Sequence, residues 1–112
     1  MASPKNEKFT PEMTSLAEIA KAVSHPARIM ILETLAEKNS CICGEIVHIV
    51  PLSQSTVSQH LKELKDQKII KGEMDGVKSC YCINWDVLDK KINELTQFIN
   101  KLNSLKQQKN CC

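Results

Sequence analysis

Aromatic residues are scarce in this chain: Phe9, Tyr81, Trp85 and Phe98 make up 4% of its 112 residues. A core must therefore be built from Ile, Leu, Val and Ala, which suits packed helices. Glycine occurs only at positions 44, 72 and 76, which excludes a Gly-rich phosphate loop. No apolar run approaches the roughly 20 residues that span a bilayer, and residues 1–10 lack the apolar stretch of a secretory signal. The expectation is a cytoplasmic chain with no membrane partner. Charge of one sign is also lacking. Fifteen Lys and Arg face 13 Asp and Glu, for a net +2, so bulk basicity does not argue for nucleic acid. Any such partner must be met by a specific element.

What the chain does have is cysteine: Cys41, Cys43, Cys80, Cys82, Cys111 and Cys112. In a reducing compartment such close pairs read as metal ligands or redox thiols rather than structural disulfides. An isolated cysteine would read as a small buried hydrophobe.

The length fits one domain. We divide it into a polar arm (1–11), a folded unit (12–109) and a Cys-containing tail (110–112). Met13, Leu16, Ile19, Ala20 and Val23 have helical spacing, with Thr10 as cap and Pro11 at the first helical position. Pro26 breaks this helix and starts a second, with Ile29, Leu32, Leu35 and Ala36 facing inward. Residues 40–43 read as a short strand and 44–49 as a third helix. Ser53 caps a fourth helix, Gln54 to Asp66, with Val57, Leu61 and Leu64 on its buried side. The period then changes to two. Ile69 to Met74 and Val77 to Asn84 are strands about an Asp75-Gly76 turn. A long helix from Trp85 to about Lys109 closes the chain, with Leu88, Ile92, Leu95, Ile99 and Leu102 in one stripe. The predicted fold is mainly α with a small β-wing: a winged helix-turn-helix.

The fourth helix carries the chemistry. Its first two turns, Ser53-Gln54-Ser55-Thr56-Val57-Ser58-Gln59-His60, replace the usual Glu, Lys and Arg with hydroxyls and amides. These are mediocre helix formers that hydrogen-bond well to phosphates and base edges. A helix N-terminus also points backbone N–H groups at a nearby phosphate. Lys71 and Lys78 on the wing are candidate backbone contacts.

Three stretches resemble the ArsR/SmtB metal-sensing repressors: Ser24-His25-Pro26-Ala27-Arg28 with Ile29 to Leu32, then Ser53 to Leu64, then the wing from Ile70 to Tyr81. The resemblance implies a dimeric repressor of a detoxification operon that leaves double-stranded DNA when its ligand binds. It puts Gln54, Ser55, Thr56, Ser58, Gln59 and His60 at DNA-reading positions. The family's arsenite repressors carry C-x-C-x-x-C at the start of the third helix. Here Cys41 and Cys43 match, but Ile46 stands at the third cysteine. The family's zinc sensors use Asp and His on the last helix, which has no histidine here. His25 reads as structural and His48 as a solvated or packing residue rather than a ligand.

Alternation along strands puts Cys41 and Cys43 on one face, and Cys80 and Cys82 likewise, with Ile42, Tyr81 and Ile83 toward the core. In a winged helix the short strand pairs with the last wing strand, so these cysteines would form one cross-strand metal site. A site completed instead by Cys111 and Cys112 stands as the alternative. Soft thiolates select As(III) or Sb(III), the choice the resemblance favours, with Cd(II) or Zn(II) also compatible; no organic cofactor is expected. A thiol redox or persulfide sensor on the same fold is the second reading. An enzyme such as a thiol oxidoreductase is not expected, because no C-x-x-C opens a helix and no Ser/His/Asp set is spaced for catalysis. The last helix, outrunning the domain it covers, is expected to pair with its symmetry mate, helped by the first helix.

Overall fold

The computed structural model describes residues 8–38, 40–44, 46–75 and 78–106. Within them the chain runs α1 (Pro11–Ala22), α2 (Pro26–Lys38), β1 (Ile42–Cys43), α3 (Ile46–Ile49), α4 (Gln54–Asp66), β2 (Ile70–Asp75), β3 (Lys78–Ile83) and α5 (Trp85–Lys106). The fold is mainly helical, with one antiparallel sheet in the order β1-β3-β2.

Local chemistry explains the helix ends. Thr10 Oγ1 accepts the Met13 N–H at 3.1 Å, and Pro11, which has no N–H to leave unpaired, occupies the first turn of α1. His25 Nδ1 accepts the Ala27 N–H at 3.0 Å and so caps α2, the structural role expected of it. At the end of α4 the Ile69 N–H reaches the Leu64 carbonyl and the Lys68 N–H the Lys65 carbonyl, with Lys68 at φ 63°. This is a Schellman turn with lysine at the position glycine usually takes, sealed by buried Leu64 and Ile69.

The core joins Ala27, Ile31 and Leu35 of α2 to Ile46, Val57, Leu61, Leu64, Ile69, Ile70 and Ile83. On α4 the expected buried residues are the observed ones. On α2 the reading needs correction: Ile29 is 44% exposed and Ile31 is fully buried. Two residues along a helix turn the side chain by about 200°, so packing of the 27-31-35 row puts Ile29 on the far side. On α1, Ile19 and Ala22 are buried while Met13, Ala20 and Val23 are exposed.

The sheet pairs β1 with the last wing strand as expected, Ile42 opposite Tyr81 and Cys43 opposite Cys80. Ile42 and Ile83 are buried, and Tyr81 packs partly against the core. Two boundaries differ. Gly44 is not helical: its φ of +76° makes the bend between β1 and α3, where a side chain would be strained. The wing strands pair as far as Asp75 opposite Lys78, one residue beyond the expected strand end; Gly76 lies outside the described residues.

α5 stands apart. None of its residues is buried, and it is tied to α1 by Ser15 Oγ, which donates to the Glu94 carboxylate at 3.0 and 3.1 Å. The radius of gyration is 17.1 Å, against about 13 Å for a compact chain of this length.

Candidate DNA-reading helix and thiol site

α4 presents its N-terminal turns to solvent. Ser53 Oγ accepts the Thr56 N–H at 3.3 Å and lies 2.8 Å from Thr56 Oγ1 and 3.3 Å from Ser55 Oγ. Gln54, Ser55, Thr56, Ser58 and Gln59 are exposed, and the buried row Val57, Leu61 and Leu64 anchors the helix. No acidic residue occupies the first turn, so nothing there repels a phosphate from the positive end of the helix dipole. Lys71 is exposed on β2, and Lys78 sits at the start of β3 across from Asp75.

His60 differs from its neighbours. It is half-buried, and its Nδ1 accepts from Arg28 Nε at 3.1 Å. Its ring centroid lies 4.5 Å from that of His25. The ring is thus held by the protein on one side rather than offered freely to a partner. Burial first, then the His25 and Arg28 charges, hold its pKa below the ordinary 6.5, with Glu63 opposing. Sequence reasoning missed Arg28, noted only as part of a motif. Its signal was a charged residue between the buried Ala27 and Ile31.

Cys41, just before β1, and Cys43 of β1 meet Cys82 and Cys80 of β3 as two cross-strand pairs on the face away from Ile42. Cys43 and Cys80 form a disulfide, which differs from the expectation of free thiols; the two are direct register partners across the strands. Cys41 and Cys82 remain thiols, exposed and half-buried respectively. A hydrogen bond with Cys41 first, then burial, raises the Cys82 pKa from 9.0 to about 11, with Lys71 opposing. Among the described residues no group of three or more His, Cys, Asp or Glu forms a metal cage; the sulfurs are associated two by two. Cys111 and Cys112 lie outside the described residues. The Cys43–Cys80 pair adjoins the start of the helix-turn-helix. Cys43 runs through Gly44, whose N–H donates to the Ser79 carbonyl at 3.0 Å, into α3.

These thiols should react unequally. Iodoacetamide at about pH 8 is expected to alkylate exposed Cys41 well before Cys82, whose thiolate fraction is small until the pH nears 11. Peptide mass spectrometry over a time course checks the order; equal rates would mean that the Cys41–Cys82 hydrogen bond does not persist in solution.

A family profile described as "Bacterial regulatory protein, arsR family" matches residues 25–71. The chain is 35% identical over 85 residues to an arsenical resistance operon repressor of Staphylococcus xylosus, covering 76% of this chain and 80% of that protein. It belongs to the ArsR family. An HTH-type transcriptional regulator of Methanocaldococcus jannaschii is 37% identical over 87 residues, covering 77% of this chain and 92% of that one. Among solved structures, NolR from Sinorhizobium fredii superposes with a TM-score of 0.62 at 27% identity, covering 88% of this chain and 94% of its own. The matched span of the ArsR profile runs from the His25 cap through α4 to Lys71. ArsR proteins of this kind are transcriptional regulators and not enzymes, and this one is an ArsR-family transcriptional repressor with a winged helix fold.

Proposed function

We propose that this ArsR-family repressor works in the cytoplasm as a homodimer and releases its operator when a thiophilic metal(loid) takes Cys41, Cys43, Cys80 and Cys82 as thiolates. The observation that carries the reading is the register of β1 on β3, which brings both C-x-C pairs together on one face. The Staphylococcus relative is named for arsenical resistance, which supports As(III) or Sb(III); Cd(II) or Zn(II) suits the same donors. The Cys43–Cys80 disulfide must be reduced first, and Cys82 must lose its proton, so effector affinity rises with pH. Coordination would pull on the Cys43–Gly44 link into α3. A ligand that prefers the free protein weakens DNA binding by the same factor.

The test is a mobility-shift assay on the reduced protein with its own upstream region. Cys41→Ser and Cys43→Ser should keep DNA binding but lose release by arsenite. A Cys80→Ser/Cys82→Ser double variant should do the same, and X-ray absorption should count the sulfurs. Loss of response on removing Cys111 and Cys112, with a normal response from the Cys80/Cys82 variant, would move the site to the tail.

The disulfide supports a second reading, in which oxidation of Cys43 and Cys80 is itself the signal. Peroxide that releases operator from the wild type, with no metal(loid) present, would favour it over coordination.

A further inference from the structure

Arg28 spends its whole guanidinium on other helices. Its Nε donates to His60 Nδ1 at 3.1 Å and its Nη1 to the Lys21 carbonyl at 2.7 Å, while Nη2 lies 3.6 Å from the Glu63 carboxylate. The side chain is only 11% exposed. Lys21 is in the last turn of α1, and its carbonyl also accepts from Ser24 Oγ at 2.7 Å. His60 and Glu63 stand three residues apart on α4, on one face of the helix. One residue of α2 therefore holds the reading helix and the end of α1 at the same time.

A planar fork does this because its donors point in fixed directions; a lysine in its place would keep the charge and lose the geometry. The arrangement also sets a condition on His60. A lone pair at Nδ1 must accept, so the ring must be neutral. The charged and titratable groups around it are His25 before α2, Arg28 of α2 and Glu63 of its own helix, with Lys21 of α1 reaching Glu63 at 3.9 Å. Protonation would remove the acceptor and set a third cation beside Arg28 and Lys21.

We propose that Arg28, with neutral His60 as its acceptor, is a positioning residue for operator recognition: it clamps α4 to the end of α1 and so fixes the pose in which Gln54 to Gln59 meet the bases. The inference rests on the operator-reading role of α4. It separates pose from charge. A residue that only adds positive charge strengthens binding to every duplex, whereas a clamp matters to the duplex whose bases are read.

The experiment is fluorescence anisotropy at matched ionic strength, with operator and a scrambled duplex, from about pH 8 to about pH 5.5. Burial first, then His25 and Arg28, hold the His60 pKa below the ordinary 6.5, so the acceptor is intact at the alkaline end and is lost only as the pH falls through that lowered pKa. Wild-type affinity for operator should therefore fall on acidification while affinity for the scrambled duplex does not. His60→Asn keeps an acceptor near Nδ1 and cannot be protonated. Measured against its own affinity at high pH, it should lose the acid step, which His25→Asn should retain. Arg28→Lys should weaken operator binding on the order of tenfold, the worth of one charge-assisted hydrogen bond, with the scrambled duplex unchanged. Identical pH profiles for wild type and His60→Asn would overturn the proposal. So would an equal loss on both duplexes in a folded Arg28→Lys. If Arg28→Lys does not fold, the His60 comparison decides alone. A Gln54→Ala/Ser58→Ala variant in the same assay separates the two claims: an unchanged operator affinity in it would remove the reading role, not the clamp.

Discussion

Ile99→Glu is expected to sediment as a monomer and to bind operator at least about a hundredfold more weakly than the parent chain. The stripe on α5 splits in the structure. Leu88 packs on the core and Leu95 is half-buried, but Ile92, Ile99 and Leu102 are 48%, 49% and 50% exposed. Phe98 and Leu105 of α5 and Met13 of α1 are exposed as well. Exposed large apolar side chains on two neighbouring helices offer a surface that a partner can cover. A second copy of the pair would cover it. A glutamate in the seam would be a buried unpaired charge costing several kcal/mol, on the order of 3–5, enough to dissociate most dimers at micromolar concentration. Losing the dimer also loses the second half-site, and linked sites are worth about 10²–10⁴ in apparent affinity. Ile99 is the better position than Leu95, because its substitution disturbs less of the protomer. Sedimentation velocity with anisotropy on one preparation checks both halves. An intact Ile99→Glu dimer would place the interface on another surface.

A Gln54→Ala/Ser58→Ala double variant should keep its fold and its assembly and lose operator affinity, by about 1–3 kcal/mol for each side chain that contacts a base directly. Both residues are exposed and lie outside the buried row of Val57, Leu61 and Leu64, so neither truncation opens a cavity. Alanine is also the better helix former, which argues against a loss of structure. The wing gives the contrast. Neutralising Lys71 and Lys78 should lower affinity for all duplexes alike and flatten the salt dependence, since phosphate contacts carry no sequence information. Unchanged operator affinity in the double variant at matched salt would take the reading role away from α4.

The elements with the strongest periodicity were the ones legible beforehand. α4 was readable from end to end because Ser53 is a capping residue, the apolar residues repeat at helical spacing, and the helix is buried along a single row. The pairing of β1 with β3 followed from the winged-helix order, and alternation then placed Ile42 and Ile83 toward the core and the cysteines on the other face. α2 was misjudged because it carries apolar residues around much of its circumference, Ile29 and Met30 as well as Ile31 and Leu32. Such a helix has no unique buried row until its neighbours choose one. The state of the cysteines was also beyond pattern. Spacing says which side chains share a face, but a register partner directly across the strand decides that Cys43 meets Cys80 and Cys41 meets Cys82.

The chain by itself determined the order of elements, the polar exposed face of α4 and the shared face of its C-x-C pairs. Each is a property of near neighbours in sequence, set by caps, breakers and the periods of helix and strand. Only the tertiary structure decided which row of α2 is buried, that two cysteines are bonded and two are not, and that Arg28 ties His60 and Glu63 to the end of α1. These depend on atoms up to 41 positions apart, brought together by packing of the core, and no local pattern records them.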